Sequence, residues 1–253
     1  GTWTETSGSG AFDPGTGVLN TDGLAAGTYT FTYTAAGTFP CPDDVSNFTV
    51  TVEQEVDAGA DNSTSICNTA GSSVDLNSLL SGADPGGTWA ETSASGAFTA
   101  GSGVLDTDGL AAGIYTFTYT VTGTAPCPDD VANFTVTVEQ EANAGADNST
   151  TACNLAGSTV DLNTLLSGAD PGGAWAETSG SGSFDPATGI FTSGGLTAGV
   201  YTFTYTVTPV APCLPDVADF TVTVSAAGNA GADNATSICN TAGSSVDLNS
   251  LLS

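Results

Sequence analysis

The chain has 253 residues and contains 27 Asp plus Glu but no Lys, Arg, His or Met, so its formal net charge is −27 at pH 7. Without imidazole, ammonium or guanidinium side chains, the protein cannot form Ser-His-Asp or Cys-His nucleophile systems, Schiff-base lysines, arginine clamps for phosphate or histidine metal sites. The charge also disfavours nucleic acid and anionic membranes as partners, while a hydrophobic content of 40% indicates a folded chain.

A repeat of 86 residues runs through the whole sequence. The tryptophans and both cysteine series advance by 86 residues at every step, at Trp3, Trp89 and Trp175, at Cys41, Cys127 and Cys213, and at Cys67, Cys153 and Cys239. An uninterrupted period without insertions predicts tandem copies of one folded unit.

The phase of the repeat predicts four segments. Residues 1–55 are the C-terminal part of one repeat, 56–141 and 142–227 are complete repeats, and 228–253 are the N-terminal part of a further repeat. Two interpretations are open: the chain is a stretch of a longer covalent array, or the end of one chain completes the repeat at the start of the next. Both predict a head-to-tail fibre.

The sequence pattern predicts β-structure throughout each repeat. In 56–141, short apolar pieces at 74–76, 88–90, 97–99 and 103–105 are separated by Gly, Ser, Asp and Pro clusters, with a single helical turn expected at 77–80. Two long stretches, 115–122 and 133–138, then alternate apolar residues with Thr or Asn, which predicts a hairpin. About seven strands per repeat indicate a small β-sandwich.

Two features favour an immunoglobulin-like sandwich. A tryptophan enters a mid-repeat strand after a Gly/Pro turn, and a tyrosine opens the penultimate strand, as in a tyrosine corner. The predicted core residues of these two kinds are Trp3, Trp89, Trp175, Tyr29, Tyr115 and Tyr201. The predicted fold class is therefore all-β, with tandem immunoglobulin-like repeats arranged head to tail.

A series of motifs carries a family resemblance. Cys-Asn-x-Ala-Gly-Ser-x-Val-Asp-Leu-Asn-x-Leu-Leu is followed by Gly-Gly-x-Trp, Gly-x-Phe-Asp-Pro, Ala-Gly-x-Tyr-Thr-Phe-Thr-Tyr and Ala-Pro-Cys-Pro-Asp. This series resembles the immunoglobulin-like repeats of very large secreted surface proteins and adhesins of Bacteroidetes, especially flavobacteria. The resemblance implies an extracellular, cell-surface or filamentous setting, many tandem copies and no catalytic residues.

Two cysteines per repeat suit an oxidising compartment. With Cys67 placed just before the first strand and Cys127 in the last hairpin turn, an immunoglobulin-like topology would bring both to one end of the repeat. We therefore predict disulfides joining Cys67 with Cys127 and Cys153 with Cys213, leaving Cys41 and Cys239 for neighbouring repeats. A link from Cys41 to Cys67, which would tie consecutive repeats together, is the alternative.

The segments between repeats gather carboxylates, and hard cations such as Ca²⁺ are held by six to eight oxygen ligands. Asp57, Asp61 and the turn residues Asp43 and Asp44 are candidate calcium ligands. A solvated acidic linker is the alternative. Calcium and covalent glycans are the only cofactors that the sequence suggests.

Five Asn-x-Ser/Thr sequons are candidate glycosylation sites, at Asn47, Asn62, Asn133, Asn148 and Asn234. Asn47 and Asn133 alternate with apolar neighbours and are expected to point outward. Chance occurrence in a Ser/Thr-rich chain is the alternative.

These observations predict a structural protein rather than an enzyme. The expected role is a disulfide-stapled stalk or fibre on a bacterial surface or in a secreted filament, with identical units as partners and no direct membrane insertion. Two alternatives are open: repeats that themselves bind glycan or calcium, and a short subunit that polymerises by strand complementation.

Overall fold

The computed structural model describes residues 1–252 as an all-β chain with 19 strands and three short 3₁₀ helices. Contacts between Cα atoms divide the chain into two compact units, the first spanning Gly1–Gln140 and the second beginning at Glu141. No helix within residues 1–252 is long and apolar enough to cross a membrane. The predicted division into repeats at residues 55, 141 and 227 stays a prediction.

The first compact unit begins with an incomplete sandwich, residues 1–55. Its strands are β1 (Thr2–Glu5), β2 (Phe12–Asp13), β3 (Val18–Leu19), β4 (Gly27–Ala35) and β5 (Asp44–Val52). One antiparallel sheet has the order β1-β4-β5, and β2 pairs with β3. In the described residues, β5 therefore forms one edge of its sheet.

A complete sandwich follows within the same compact unit. Its strands are β6 (Asn62–Cys67), β7 (Ser73–Asp75), β8 (Thr88–Glu91), β9 (Phe98–Thr99), β10 (Val104–Asp106), β11 (Gly113–Val121) and β12 (Asp130–Glu139), with the 3₁₀ helix η1 (Leu76–Leu79) after β7. The two sheets have the orders β7-β10-β9 and β6-β12-β11-β8. Lettered A to G along the chain, these are B-E-D and A-G-F-C, the strand order of an immunoglobulin-like sandwich with strand A paired to strand G. The predicted fold class is confirmed.

The second compact unit repeats this architecture. Its elements are β13 (Asn148–Cys153), β14 (Thr159–Asp161), η2 (Leu162–Leu165), β15 (Ala174–Glu177), β16 (Phe184–Asp185), β17 (Ile190–Thr192), β18 (Gly199–Val207) and β19 (Asp216–Ser225). Sheets β13-β19-β18-β15 and β14-β17-β16 form the sandwich. After β19, the described residues contain one further element, η3 (Leu248–Leu251).

The core follows from the period-two alternation of the long hairpin. Strands β11 and β12 pair in antiparallel register, with Phe117 opposite Phe134. Every second side chain of β12 faces inward, so Phe134, Val136 and Val138 are buried while Asn133 is exposed. The hairpin predicted from the sequence is confirmed.

The expected helical turn is the 3₁₀ helix η1, which starts one residue earlier than predicted. The carboxylate of Asp75 accepts a hydrogen bond of 3.0 Å from the backbone N–H of Asn77, satisfying a donor at the start of the helix. This turn directs Leu76 into the core, where it is fully buried. Strand β7 and helix η1 thereby contribute Val74 and Leu76 to the core.

The three tryptophans predicted to lie in the core differ in how deeply they are buried. Trp89 and Trp175 are buried, whereas Trp3 of the incomplete sandwich is half-buried. Trp89 packs against Tyr119 and Phe134 at ring-centroid distances of 5.0 and 4.8 Å. Its indole N–H donates to Oδ1 of Asn77 over 2.9 Å, so this polar group is satisfied.

The three tyrosines predicted to form tyrosine corners are half-buried and share one contact. The hydroxyl of Tyr115 donates to the backbone carbonyl of Ala111, four residues upstream, over 2.9 Å. Tyr29 and Tyr201 make the corresponding bonds over 2.8 and 3.0 Å, to Ala25 and Thr197 respectively. Each bond anchors the loop that leads into the penultimate strand of its repeat.

Candidate assembly site on an incomplete sandwich

The incomplete sandwich exposes side chains that the complete sandwich buries. Phe48 is 45% exposed, whereas its counterpart Phe134 is 1% exposed. Val50 is 38% exposed, whereas its counterpart Val136 is completely buried. Because the two sequences are nearly the same here, the difference comes from what covers the sheet. The exposed apolar side of β5 is the candidate site.

Two segments cover this side in the complete sandwich. Strand β6 pairs with β12 in parallel, from Asn62 opposite Phe134 to Cys67 opposite Glu139. Strand β7 pairs with β10, and its Val74 lies opposite Leu105. Within the described residues, β5 and β3 have no strands in the corresponding places.

A second copy of the covering segment lies near the end of the chain. Residues 59–81 and 231–253 differ at one position, where Ser63 corresponds to Ala235. We call residues 228–252 the C-terminal segment. Its Leu248 is 67% exposed, whereas the counterpart Leu76 is fully buried, and Ile238, Val246 and Leu252 are exposed as well.

The C-terminal segment keeps the local hydrogen bonds of its buried counterpart. Nδ2 of Asn234 donates to the backbone carbonyl of Leu251 over 2.8 Å, as Nδ2 of Asn62 donates to Leu79 over 2.9 Å. The Asp247 carboxylate accepts from the Asn249 backbone N–H over 2.9 Å, which starts η3 in the way that η1 starts. These contacts give the segment the same local turn structure as its buried counterpart, although its apolar side chains are exposed.

The cysteine pairing differs from the prediction. Cys67 and Cys213 are disulfide-bonded, whereas Cys41, Cys127, Cys153 and Cys239 are free cysteines. The predicted pairs, Cys67 with Cys127 and Cys153 with Cys213, are not present, since one member of each pair is free. The alternative link from Cys41 to Cys67 is not present either.

The direction of β6 explains why Cys67 and Cys127 do not pair. The prediction placed Cys67 before the first strand, but it is the last residue of β6 and lies opposite Glu139 at the far end of β12. Cys127 precedes the start of β12, so the ten residues of that strand separate the two cysteines. Ten residues span about 30 Å at the rise of a β-strand, whereas disulfides need Cα atoms within about 7 Å.

Cys127 lies instead beside the end of the incomplete sandwich. Its Sγ donates to the backbone carbonyl of Glu53 over 3.8 Å, and Glu53 directly follows β5. In the complete sandwich the position equivalent to Glu53 is Glu139, the Cα partner of Cys67. Cys127 therefore lies beside Glu53, the residue that the strand A cysteine of the preceding repeat would have as its Cα partner.

Two hydrogen bonds between a carboxylate and a backbone N–H join the segment just before strand A to strand G. Oδ2 of Asp130 accepts from Ala58 over 2.7 Å, and Oδ1 of Asp61 accepts from Asn133 over 2.6 Å. The second compact unit repeats both bonds, from Ala144 to Asp216 and from Asp219 to Asp147. These hydrogen bonds were not predicted from the sequence, although the recurrence of Asp44, Asp130 and Asp216 at the repeat period could have indicated a shared structural role.

The four candidate calcium ligands do not converge on one site in the described part of the chain. Asp57 accepts from the Gly59 N–H, Asp61 from Asn133, and Asp43 from the Gly37 N–H over 2.9 Å. Asp44 corresponds to Asp130 and opens β5. No group of three or more His, Cys, Asp or Glu residues in the described part of the chain is arranged to hold a metal ion. Calcium binding stays a prediction.

The five sequon asparagines are all exposed. Asn47 and Asn133 point away from the core, as the alternation predicts. The side-chain amides of Asn62, Asn148 and Asn234 donate to backbone carbonyls seventeen residues further along the chain. Nδ2 is the atom that a glycan would occupy, so glycosylation at these three positions would replace an existing hydrogen bond. Glycosylation stays a prediction at all five.

A recurring glutamate closes a loop in each repeat. In the complete sandwich, Oε1 of Glu91 accepts from the backbone N–H of Ser95 and from the Ser93 hydroxyl, over 2.5 and 2.9 Å. Burial raises the pKa of Glu91, but the hydrogen bonds from Ser95 and Ser93 outweigh burial and hold the pKa below 4.5, the ordinary value. Glu177 is held in the same way, with its pKa lowered by Ser181 and Ser179 despite burial.

These glutamates predict a loss of stability in acid. A carboxylate whose folded pKa is lowered stabilises the fold fully above its unfolded pKa, and the contribution is lost as pH falls through the folded value. We therefore expect the free energy of unfolding to decline below pH 4.5, and Glu91→Gln to reduce this decline for residues 56–140. Urea titrations at successive pH values measure the slope. An unchanged acid slope in the variant would contradict the assignment.

No protein-family model matches the chain, and no curated protein matches it. Similar solved structures exist. They include mouse clustered protocadherin PcdhgC3 EC1-3, with 13% identity and a TM-score of 0.34 over 83% of this chain and 81% of that one. The insect immune protein hemolin has 13% identity and a TM-score of 0.34 over 78% of this chain. The chain spans 56% of hemolin.

Domains 3–5 of Drosophila OTK match with 11% identity and a TM-score of 0.34, over 83% of this chain and 74% of that one. The fold assignment rests on the strand order of the two complete sandwiches.

Proposed function

We propose that this chain is a structural element of an extracellular bacterial fibre or adhesin stalk. Its immunoglobulin-like repeats follow one another head to tail, and they transmit force rather than catalyse a reaction. The observation that carries this proposal is the tandem recurrence of one sandwich, since the sheets β6-β12-β11-β8 and β13-β19-β18-β15 have the same strand order at a spacing of 86 residues.

The chemistry of the chain supports an extracellular setting. Cys67 and Cys213 are disulfide-bonded, and disulfides persist mainly in oxidising compartments. The motifs shared with repeats of secreted Bacteroidetes surface proteins agree with that setting. The absence of Lys and Arg from the sequence deprives trypsin-like proteases of cleavage sites.

The distribution of residues supports a passive rod. Aromatic and aliphatic side chains fill each sandwich, while Thr side chains of the long strands and the carboxylates of the turns face outward. A net charge of −27 keeps bare fibres apart at low salt. Screening shortens this repulsion to about 8 Å at physiological ionic strength.

Immunogold electron microscopy on intact source cells tests the proposal. Antibodies raised against the folded chain are expected to label fibres outside the cell, and labelling confined to the cytoplasm would overturn it. A glycan array probed with the same chain tests the alternative, in which the repeats themselves recognise sugar. Specific binding that competes with free glycan would make the repeats adhesive modules rather than a stalk.

A further inference from the structure

We propose that two copies of this chain associate through the outer face of the sheet β6-β12-β11-β8, with β11 of one copy lying over β12 of the other. We call this surface, made by the outward side chains within 63–65, 88–92, 114–120 and 131–137, the threonine face. The inference goes beyond the proposed stalk role, because such a face joins neighbouring chains whether or not they form a stalk.

The threonine face carries no charge. Side chains alternate along the two central strands, so Phe117 and Val136 are buried while their neighbours point outward. The outward residues of β11 and β12 are threonines apart from Ile114, Val131 and Asn133, and the outward residues of β6 and β8 are Ser, Thr and Ala. The Asp and Glu residues of 56–140 all lie elsewhere.

The other surfaces of this sandwich carry carboxylates. Asp75 and Asp106 are exposed on the outer side of the sheet β7-β10-β9, and Asp57 and Asp129 are exposed in the segments at its ends. The sequence has no Lys, Arg or His that could pair with them, and burying an unpaired carboxylate costs several kcal/mol. The threonine face is therefore the sheet surface of 56–140 that two copies can bury without this cost.

Part of the polar surface of the face is already satisfied within one chain. The Thr92 hydroxyl donates to the Thr116 carbonyl over 3.0 Å and lies 2.7 Å from the Thr116 hydroxyl, which then donates to it. Such bonds lower the cost of removing water from the face. The threonine methyls, with Ile114 at 67% exposure and Val131 at 48%, supply apolar surface whose burial favours association.

Carboxylates at the two ends of β12 select the symmetry axis of the pair. Glu139 ends β12, and Asp129 immediately precedes it. A two-fold axis running across the strands would place Glu139 of one copy over Asp129 of the other. An axis along the strands avoids this repulsion, because the register of β11 with β12 places Glu139 over Ala112 and Asp129 over Thr122 of the second copy.

This axis fixes which residues meet at the centre of the interface. Residues that pair across the ladder within one chain face each other between the two copies, so Asn133 faces Thr118 and Thr135 faces Thr116. Aligned sheets cross at about 30°, which makes these central rows the closest contact. A two-fold interface is self-complementary, so every contact occurs twice.

The size of the face predicts a weak contact. Four strands about 4.8 Å apart and seven residues at a rise of about 3.3 Å cover about 450 Å² on each copy, or about 900 Å² in total. Stable interfaces of separate proteins bury about 1,200–2,000 Å². A single threonine face therefore gives reversible association, and several faces in tandem strengthen it by raising the effective concentration.

The second compact unit differs at the centre of the equivalent face. Asp219 occupies the position of Asn133, is exposed, and lies opposite Thr204 in its ladder. The proposed axis would bury this carboxylate against the second copy. We therefore assign the association to the face of 56–140 and not to its counterpart in the second unit.

Sedimentation velocity over a concentration series tests the association. The full-length chain is made in a host without N-glycosylation, since Asn133 lies in a sequon, and its free thiols are blocked with iodoacetamide. We expect reversible self-association at 0.15 M salt that weakens at 0.01 M, where the screening length rises from about 8 Å to about 30 Å. Chains that stay monomeric up to their solubility limit at 0.15 M, or that associate more tightly at 0.01 M, would overturn the proposal.

A matched pair of variants tests the face. Asn133→Asp is expected to weaken association about 100-fold, because the two-fold buries the carboxylate twice, and Asp219 shows that the fold accommodates aspartate at this position. Ser73→Asp is the control, since it adds the same charge at an exposed position of the other sheet and is expected to change association by less than about twofold. Equal weakening by the two substitutions would contradict the assigned face.

The reverse substitution tests the role of charge. Asp219→Asn gives the second compact unit a neutral face as well, and we expect association to tighten about tenfold. No gain in this variant would refute the argument that the absence of carboxylates selects the face.

A mixing experiment tests the symmetry axis. Thr118→Asp and Asn133→Lys chains are expected to associate about tenfold more tightly when mixed than either does alone, because the two new charges face each other only when β11 lies over β12. Thr118→Asp mixed with Thr135→Lys is the control. Equal rescue in both mixtures would overturn the axis.

These results are separable from the fibre test. Monomeric chains in solution together with labelled fibres on cells would remove the threonine-face contact and leave the proposed stalk role standing. Cytoplasmic labelling would remove the stalk role and leave a measured association through the threonine face intact.

Discussion

Replacement of Val136 by aspartate is expected to prevent residues 56–140 from folding. Val136 is completely buried in β12, and the surrounding core contains no cation that could pair with a carboxylate, since the sequence has no Lys, Arg or His. Burying an unpaired carboxylate costs several kcal/mol, which is comparable with the whole stability of a domain, about 5–15 kcal/mol.

Hydrogen exchange measured by mass spectrometry checks this result region by region. In Val136→Asp, peptides from 56–140 should exchange rapidly, while peptides of the second sandwich keep their protection. Val131→Asp is the matched control, because Val131 is 48% exposed on the same strand, and its effect is expected to stay within about 0.5 kcal/mol. Full protection of 56–140 in Val136→Asp would refute the assigned core.

Trp89→Ala is expected to destabilise the complete sandwich by about 3–5 kcal/mol, the usual cost of removing a buried aromatic side chain. The indole fills the space between Tyr119 and Phe134 and bonds to Asn77. Its loss leaves a cavity and removes the partner of the Asn77 amide oxygen. Urea unfolding followed by hydrogen exchange of residues 56–140 measures the change without relying on tryptophan fluorescence.

Trp3→Ala provides the comparison at the equivalent position. Trp3 packs on Tyr33 and Phe48 at centroid distances of 5.0 Å each, but it is only half-buried. We expect a distinctly smaller loss in residues 1–55 than in Trp89→Ala, because less apolar surface returns to water. Equal losses at the two positions would mean that the incomplete sandwich is as well packed as the complete one.

The sequence predicted the fold through patterns that act locally. The alternation around Phe134 placed the hairpin, the Gly/Pro clusters separated the short strands, and the position of Tyr115 indicated the corner at the penultimate strand. These signals are strong because strand periodicity and turn chemistry depend on neighbouring residues. The strand order of the two complete sandwiches agrees with the predicted class.

The cysteine pairing could not be predicted in the same way, because it depends on the direction of a strand. The apolar residues of 62–67 are compatible with pairing on either edge and in either orientation. Only the register that places Cys67 opposite Glu139 shows that Cys67 and Cys127 lie at opposite ends of β12. Likewise, the bond from Ala58 to Asp130 joins residues 72 positions apart, a distance at which local patterns carry no information.

The parallel pairing of β6 with β12 determines how a complete sandwich responds to tension. The chain enters the sandwich through β6 and leaves it through β12, and the two strands run side by side in the same direction. A pull on the two ends therefore slides one strand along the other, so the rungs from Asn62 to Cys67 are strained simultaneously rather than opened one at a time. Mechanical resistance thus resides in the backbone ladder and in the neighbouring hydrogen bonds of Asp130 and Asp61, and it needs no catalytic side chain.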